Sequence, residues 1–146
     1  MKINNLMKGI VGGLIFTLLG AFIFQMVANA TGYVFDFSAL ITGGLAGLGF
    51  GLFAKERDRF SEHVMGAALG YAAIMLGYFL VYMSPMSVST GAFIHSTTVT
   101  VVPAELMSFG DFMANTFKES PIHALFFVLG IVAGSAVAWY VADKRK

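Results

Sequence analysis

Residues 37–59, FSALITGGLAGLGFGLFAKERDR, constrain this chain more than any other stretch. They run apolar for about 18 residues, long enough to cross a hydrocarbon core, and stop at a Lys-Glu-Arg-Asp-Arg cluster. Gly43, Gly47 and Gly51 recur every fourth residue, which at about 100° per residue makes a strip of bare backbone roughly 12 Å long. In lipid, burying apolar side chains against one another gains little. Such a strip instead admits a second helix to backbone contact. One helix thereby sets the solvent, a packing face and, through its basic end, an orientation.

Composition agrees with that solvent. Hydrophobic residues make up 58% and charged residues 12%, against roughly 25% charged in ordinary soluble domains, and the mean hydropathy is +0.79. A chain of 146 residues has room for one domain, 1–146. The reading is an all-α integral membrane protein. A net charge of +1 offers no electrostatic ground for a nucleic-acid partner. The chain contains no cysteine, so thiol–disulfide chemistry, cysteine anchoring and cysteine-rich metal sites all drop out.

Four spans follow, at about 9–28, 37–54, 64–83 and 121–142. Ala28-Asn29-Ala30 has the form of a signal-peptidase site, but the apolar run before it exceeds the roughly 7–15 residues of a signal h-region. It reads as a first transmembrane helix. Gly32-Tyr33 begins a tight turn, with Asp36 placed to cap the second helix. The short connection 55–60 makes helices two and three antiparallel neighbours, with Ser61 as N-cap and Glu62 at the positive helix end. Ser84-Pro85 ends the third span, and Ser120-Pro121 opens the fourth.

Between them lies the extracytoplasmic loop 84–120. Thr98 to Val101 alternate in a weakly strand-like way. From Pro103 the period changes, and Leu106, Phe109, Met113 and Phe117 fall on one helical face with Phe112 beside them. This predicts an amphipathic helix over 103–117, lying in the membrane interface or packed as a lid over the bundle. Glu105 and Asp111 should then face water or a partner.

Of the nine Lys and Arg, Lys118 alone falls on the loop side of this arrangement. That asymmetry places both termini in the cytoplasm. Tyr33, Phe35, Tyr78 and Tyr82 lie near the outer boundary and Phe53, Phe60, Trp139 and Tyr140 near the inner one, as interface belts require. The glycines also echo. Gly9, Gly13 and Gly20 match Gly66, Gly70 and Gly77 at a constant offset of 57, and Gly43 and Gly47 match Gly130 and Gly134, suggesting two parallel helical hairpins. These strips predict close crossings among helices one to three, with one strip free for a partner.

The most informative chemical feature is an absence. No Asp, Glu, Lys, Arg or His lies in the middle third of any span, where a charge-coupled carrier needs one. The embedded polar groups are Thr17, Gln25, Thr42, Tyr71, Tyr78, Tyr82 and Ser135. Ser and Thr commonly bond their own helix backbone. Gln25 is expected to bond across helices, while Gln25, Tyr78 and Tyr82 together offer a polar path or small-ligand site. His63 reads at the cytoplasmic mouth, and His95 and His123 outside, where a metal would need Glu105, Asp111 or Glu119 to converge with them. No nucleophile elbow, phosphate loop or zinc-protease motif occurs.

With these residues laid out, the chain resembles a family of small bacterial inner-membrane proteins with four spans. The likeness rests on Thr31-Gly32-Tyr33, the glycine ladder of the second helix, the short link into a glycine-bearing third helix, and Leu106-Met107-Ser108-Phe109-Gly110-Asp111-Phe112. It implies an inner-membrane location and the same architecture, without the cytosolic zinc-ribbon extension of some members, and it implies no activity. The expected function is that of a non-catalytic, cofactor-free accessory or oligomerising subunit. Its partners would be the bilayer and copies of itself or other membrane subunits. The alternatives are a small oligomeric channel or facilitator for a polar solute, and a membrane enzyme or metal or haem binder using the outer loop.

Overall fold

The computed structural model describes residues 3–31, 33–54, 59–83, 89–91, 108–119 and 121–144. Among them the chain is almost wholly helical: α1 (Ile3–Thr31), α2 (Asp36–Phe53), α3 (Arg59–Tyr82), α4 (Phe109–Glu119) and α5 (Pro121–Lys144). Two short strands, β1 (Tyr33–Phe35) and β2 (Ser89–Gly91), pair in parallel with Tyr33 opposite Ser89 and Phe35 opposite Gly91. Three stretches, Ile3–Thr31, Phe60–Tyr82 and Pro121–Lys144, are long and apolar enough to cross a membrane. The apolar helix α2 has 18 residues.

Local chemistry accounts for the starts of α4 and α5. Pro121 is the first residue of α5, where its missing N–H costs nothing. Ser108 caps α4: its Oγ accepts from the Asp111 N–H at 3.2 Å and donates to the Asp111 carboxylate at 2.7 Å, a reciprocal capping arrangement. The Ser108 carbonyl accepts the first backbone bond, from Phe112 N–H. This cap corrects the expected boundary, since α4 starts at Phe109; Pro103 and Leu106, and the alternation at 98–101, lie outside the described residues. Helix α1 extends beyond the expected span, starting at Ile3, and Leu6 and Ile10 pack on the core formed by Phe50, Ala54 and Leu69. Helix α3 begins at Arg59, so Ser61 lies inside the first turn and is not its N-cap.

Contacts between helices give their directions. The pairs Gly43–Gly130, Gly47–Gly134 and Gly51–Ala138 advance together, so α2 and α5 run parallel. Gly66 meets Gly134 and Gly70 meets Gly130, so α3 opposes α5. Gly9 meets Phe50 and Ala54 while Gly20 meets Thr42, so α1 opposes α2, and Gly13–Leu69 with Gly77–Phe24 make α1 and α3 parallel. The result is an up-down-up-down bundle with α2 and α3 between α1 and α5. Both matched hairpins, α1–α2 and α3–α5, are antiparallel, but Gly9 and Gly13 of α1 meet large side chains, whereas their matches Gly66 and Gly70 of α3 meet the glycine backbone of α5.

The core divides into two clusters. One, at the end carrying the termini, comprises Ala46, Phe50, Ala54, Leu69, Ala73 and Ala138. The other, at the opposite end, joins Phe24, Ile74, Tyr78, Val81 and Tyr82 to Phe112 and Met113 of α4. Helix α4 therefore completes the core at that end, on α3 and α5.

Candidate functional site

Of the glycines singled out in the sequence, Gly43, Gly47, Gly51, Gly66, Gly70, Gly130 and Gly134 converge where α2, α3 and α5 meet. Gly134 lies at the meeting of three helices, where an added Cβ would sit 2.6 Å from the Gly66 carbonyl oxygen, 3.0 Å from that of Gly43 and 3.2 Å from Gly70 Cα. A methyl on Gly43 would overlap the Gly130 carbonyl, and one on Gly47 the Gly134 carbonyl. Gly130 lies equally close to Ala39, at 2.5 Å from its oxygen to the hypothetical Cβ. Gly51 faces the Ala138 carbonyl at 2.7 Å, Gly66 the Gly134 carbonyl at 2.6 Å, and Gly70 the Gly130 carbonyl at 3.4 Å. Gly77 differs from these, since its neighbour is the Phe24 ring at 3.0 Å. None of these strips is left bare for a partner, contrary to the expectation: α5 fills the α2 and α3 strips from within the chain, and α2 and α3 cover the glycines of α1.

Gln25, Tyr78 and Tyr82 each engage a neighbouring element. Gln25 Nε2 donates to the Leu80 carbonyl of α3 at 3.3 Å. Leu80 is among the last residues of α3, whose carbonyls lack helical partners, so the amide satisfies a helix end and ties α1 to α3. Tyr78 is buried between Phe24, with ring centroids 5.2 Å apart, and Phe117, at 6.3 Å. The Tyr82 ring is enclosed by Phe79, Phe109 and Phe112 at 6.3, 5.6 and 5.6 Å. Both tyrosines serve as the platform for α4. Replacing Gln25 with leucine is expected to lower stability by about 1 kcal/mol, read as a small downward shift of the unfolding transition in detergent.

The structure adds groups that the sequence reading placed elsewhere. His123, expected at the outer surface, is buried at 1% exposure in the first turn of α5. Glu62 is fully buried in the first turn of α3, where the helix dipole favours a carboxylate. Ser135 was expected to bond its own helix; instead its Oγ lies 2.8 Å from His63 Nδ1 across α3 and α5. The His63 ring also stacks on Trp139, with centroids 6.0 Å apart. Thr17 Oγ is buried without a hydrogen-bond partner among the described residues, whereas Thr116 Oγ donates to the Phe112 carbonyl at 2.8 Å.

A Ser–His hydrogen bond is the first half of a nucleophile–base pair. Here the two residues stand on different helices, and the pair ties α3 to α5. Among the described residues no group of three or more His, Asp or Glu gathers as metal ligands. His63 opens α3 and His123 opens α5, at opposite ends of the bundle, while His95 and Glu105 lie outside the described residues. Asp111 is exposed and engaged with Ser108. Compared with known proteins, the chain matches no family model, no curated protein and no solved structure.

Proposed function

We propose that the chain is a four-span membrane protein of the bacterial inner membrane. Both termini would be cytoplasmic, and the chain would act as a non-catalytic accessory subunit through its outer surfaces. One observation carries the functional reading: α2, α3 and α5 meet at backbone contact along Gly43, Gly70, Gly130 and Gly134. Contact of this kind closes the space between these three helices, which favours a role carried by the outer faces of the bundle.

Support for a fourth span is topological. Helices α1 and α3 run in the same direction, so a chain that crosses a bilayer with both must return between them, and α2 is the helix in that interval. Its 18 residues rise roughly 27 Å, close to a hydrocarbon core of about 30 Å. On this arrangement α4 lies at the outer surface, across α3 and α5, with Asp111 and Lys118 toward water.

The cysteine-free sequence supplies a test, because each introduced thiol is unique. A membrane-impermeant maleimide applied to intact cells is expected to label Lys118→Cys. Asn4→Cys and Lys144→Cys should react only after permeabilisation. Labelling of all three from outside overturns the four-span reading. Cross-linking in native membranes is expected to trap a larger species that contains the chain. Solute flux through reconstituted vesicles that depends on the protein would instead establish the facilitator.

A further inference from the structure

A shallow hollow of about 240 Å³ opens on the side of the bundle between the start of α1 and the end of α2, lined by Met7, Lys8, Val11 and Phe53. It is built by glycine. An added Cβ on Gly12 would run into the Phe53 ring, so the absence of one lets that ring pack close against α1 as one wall of the hollow. Gly9 does the same one turn earlier, where a Cβ would stand 2.9 Å from the Phe50 ring and 3.0 Å from Ala54. The two helices are thereby drawn together at a point where Met7, Val11 and Phe53 still remain about half exposed.

We infer that this hollow binds one anionic phospholipid of the leaflet on the terminus side. The inference rests on the membrane reading above. Three walls are apolar and suit the upper acyl chain, while Lys8 stands where the apolar run of α1 begins, at headgroup depth. A phosphate with a net negative charge gains from the Lys8 ammonium, and a zwitterionic headgroup gains less. A helix of a partner is a poorer occupant. The lining spans Met7 to Val11 on α1, a rise of roughly 6 Å, about one helical turn. Helix pairing in lipid needs a strip of several turns.

The test uses the purified full chain in detergent with an equimolar mixture of phosphatidylglycerol and phosphatidylcholine, read by native mass spectrometry. Wild type is expected to retain one phosphatidylglycerol in preference to phosphatidylcholine. Lys8→Gln should reduce that preference about fivefold, the effect of one juxtamembrane cation. Val11→Trp, at an exposed position, should fill the hollow and remove the retained lipid of either kind while the unfolding transition stays in place. Equal retention of both lipids by wild type overturns the inference, as does indifference to both substitutions or retention of a second copy in place of lipid. Alkaline carbonate extraction of native membranes separates the two readings. Release of the protein defeats the membrane assignment itself, whereas retention without lipid preference defeats only the site.

Discussion

Gly134→Ala is expected to lower the unfolding transition of the purified protein sharply, while Gly44→Ala leaves it unchanged or raises it. Gly134 is blocked on two sides: its Cβ would lie 2.6 Å from the Gly66 carbonyl of α3 and 3.0 Å from the Gly43 carbonyl of α2. A helix that retreats from one neighbour presses on others, so the strain cannot be relieved by sliding. Overpacking of this kind costs about 1–3 kcal/mol, and more where the obstacle is backbone. Gly44 is the control because it stands beside Gly43 in the same helix with nothing nearer than Val137 Cγ2 at 4.0 Å. There an alanine removes only the entropic penalty of glycine, a gain of roughly 0.5–1 kcal/mol. Thermal unfolding in detergent reads both. Equal shifts for the two variants would mean that the helices do not meet at backbone contact.

The same glycines mark how far the fold was legible. A four-residue period sets which face of a helix is bare, and that is a local property of the sequence. Which helix fills the face is not local. Gly43 and Gly130 are brought together by the whole up-down-up-down arrangement, and no spacing rule distinguishes α5 from a second copy as the occupant. The loop helix shows a different limit. The helix opens after Ser108, whose Oγ accepts from the Asp111 N–H three residues on and donates to the Asp111 carboxylate.

At the candidate site, legibility followed the same division. That Gln25 must reach another helix could be argued from its amide alone, but its acceptor, a carbonyl at the end of α3, depends on the pitch of α1 against α3. His63 and Ser135 are 72 residues apart, and only the rotation of two helices puts them 2.8 Å from one another. His123 read as a surface residue because it follows a polar loop next to a proline. It is buried because it lies seven residues, two turns, before Gly130 and so points to the same packed side of α5.

Phe109→Asp combined with Met113→Asp is expected to detach α4 while the rest of the bundle holds. Met113 is buried with Phe112 in the core cluster at that end, and Phe109 packs edge-to-face on Phe79, with ring centroids 5.4 Å apart, and against Tyr82 at 5.6 Å. Each lost burial forfeits roughly 1.5–3 kcal/mol. Keeping α4 docked would also drive a carboxylate into an apolar contact, at several kcal/mol more per group. Lifting the helix off is the cheaper outcome. The glycine contacts between α2, α3 and α5 involve none of these residues, so the bundle has no reason to open with it. Limited trypsin digestion reads the difference at the exposed Lys118 of α4, which should be cut many times faster in the double variant. Ser108→Ala provides an intermediate point, because losing a cap costs about 1 kcal/mol, enough to raise cleavage modestly without releasing the helix. If the double variant shows wild-type protection at Lys118 and wild-type yield, the phenylalanines are not what holds α4 down, and the lid is tethered instead through the β1–β2 pairing.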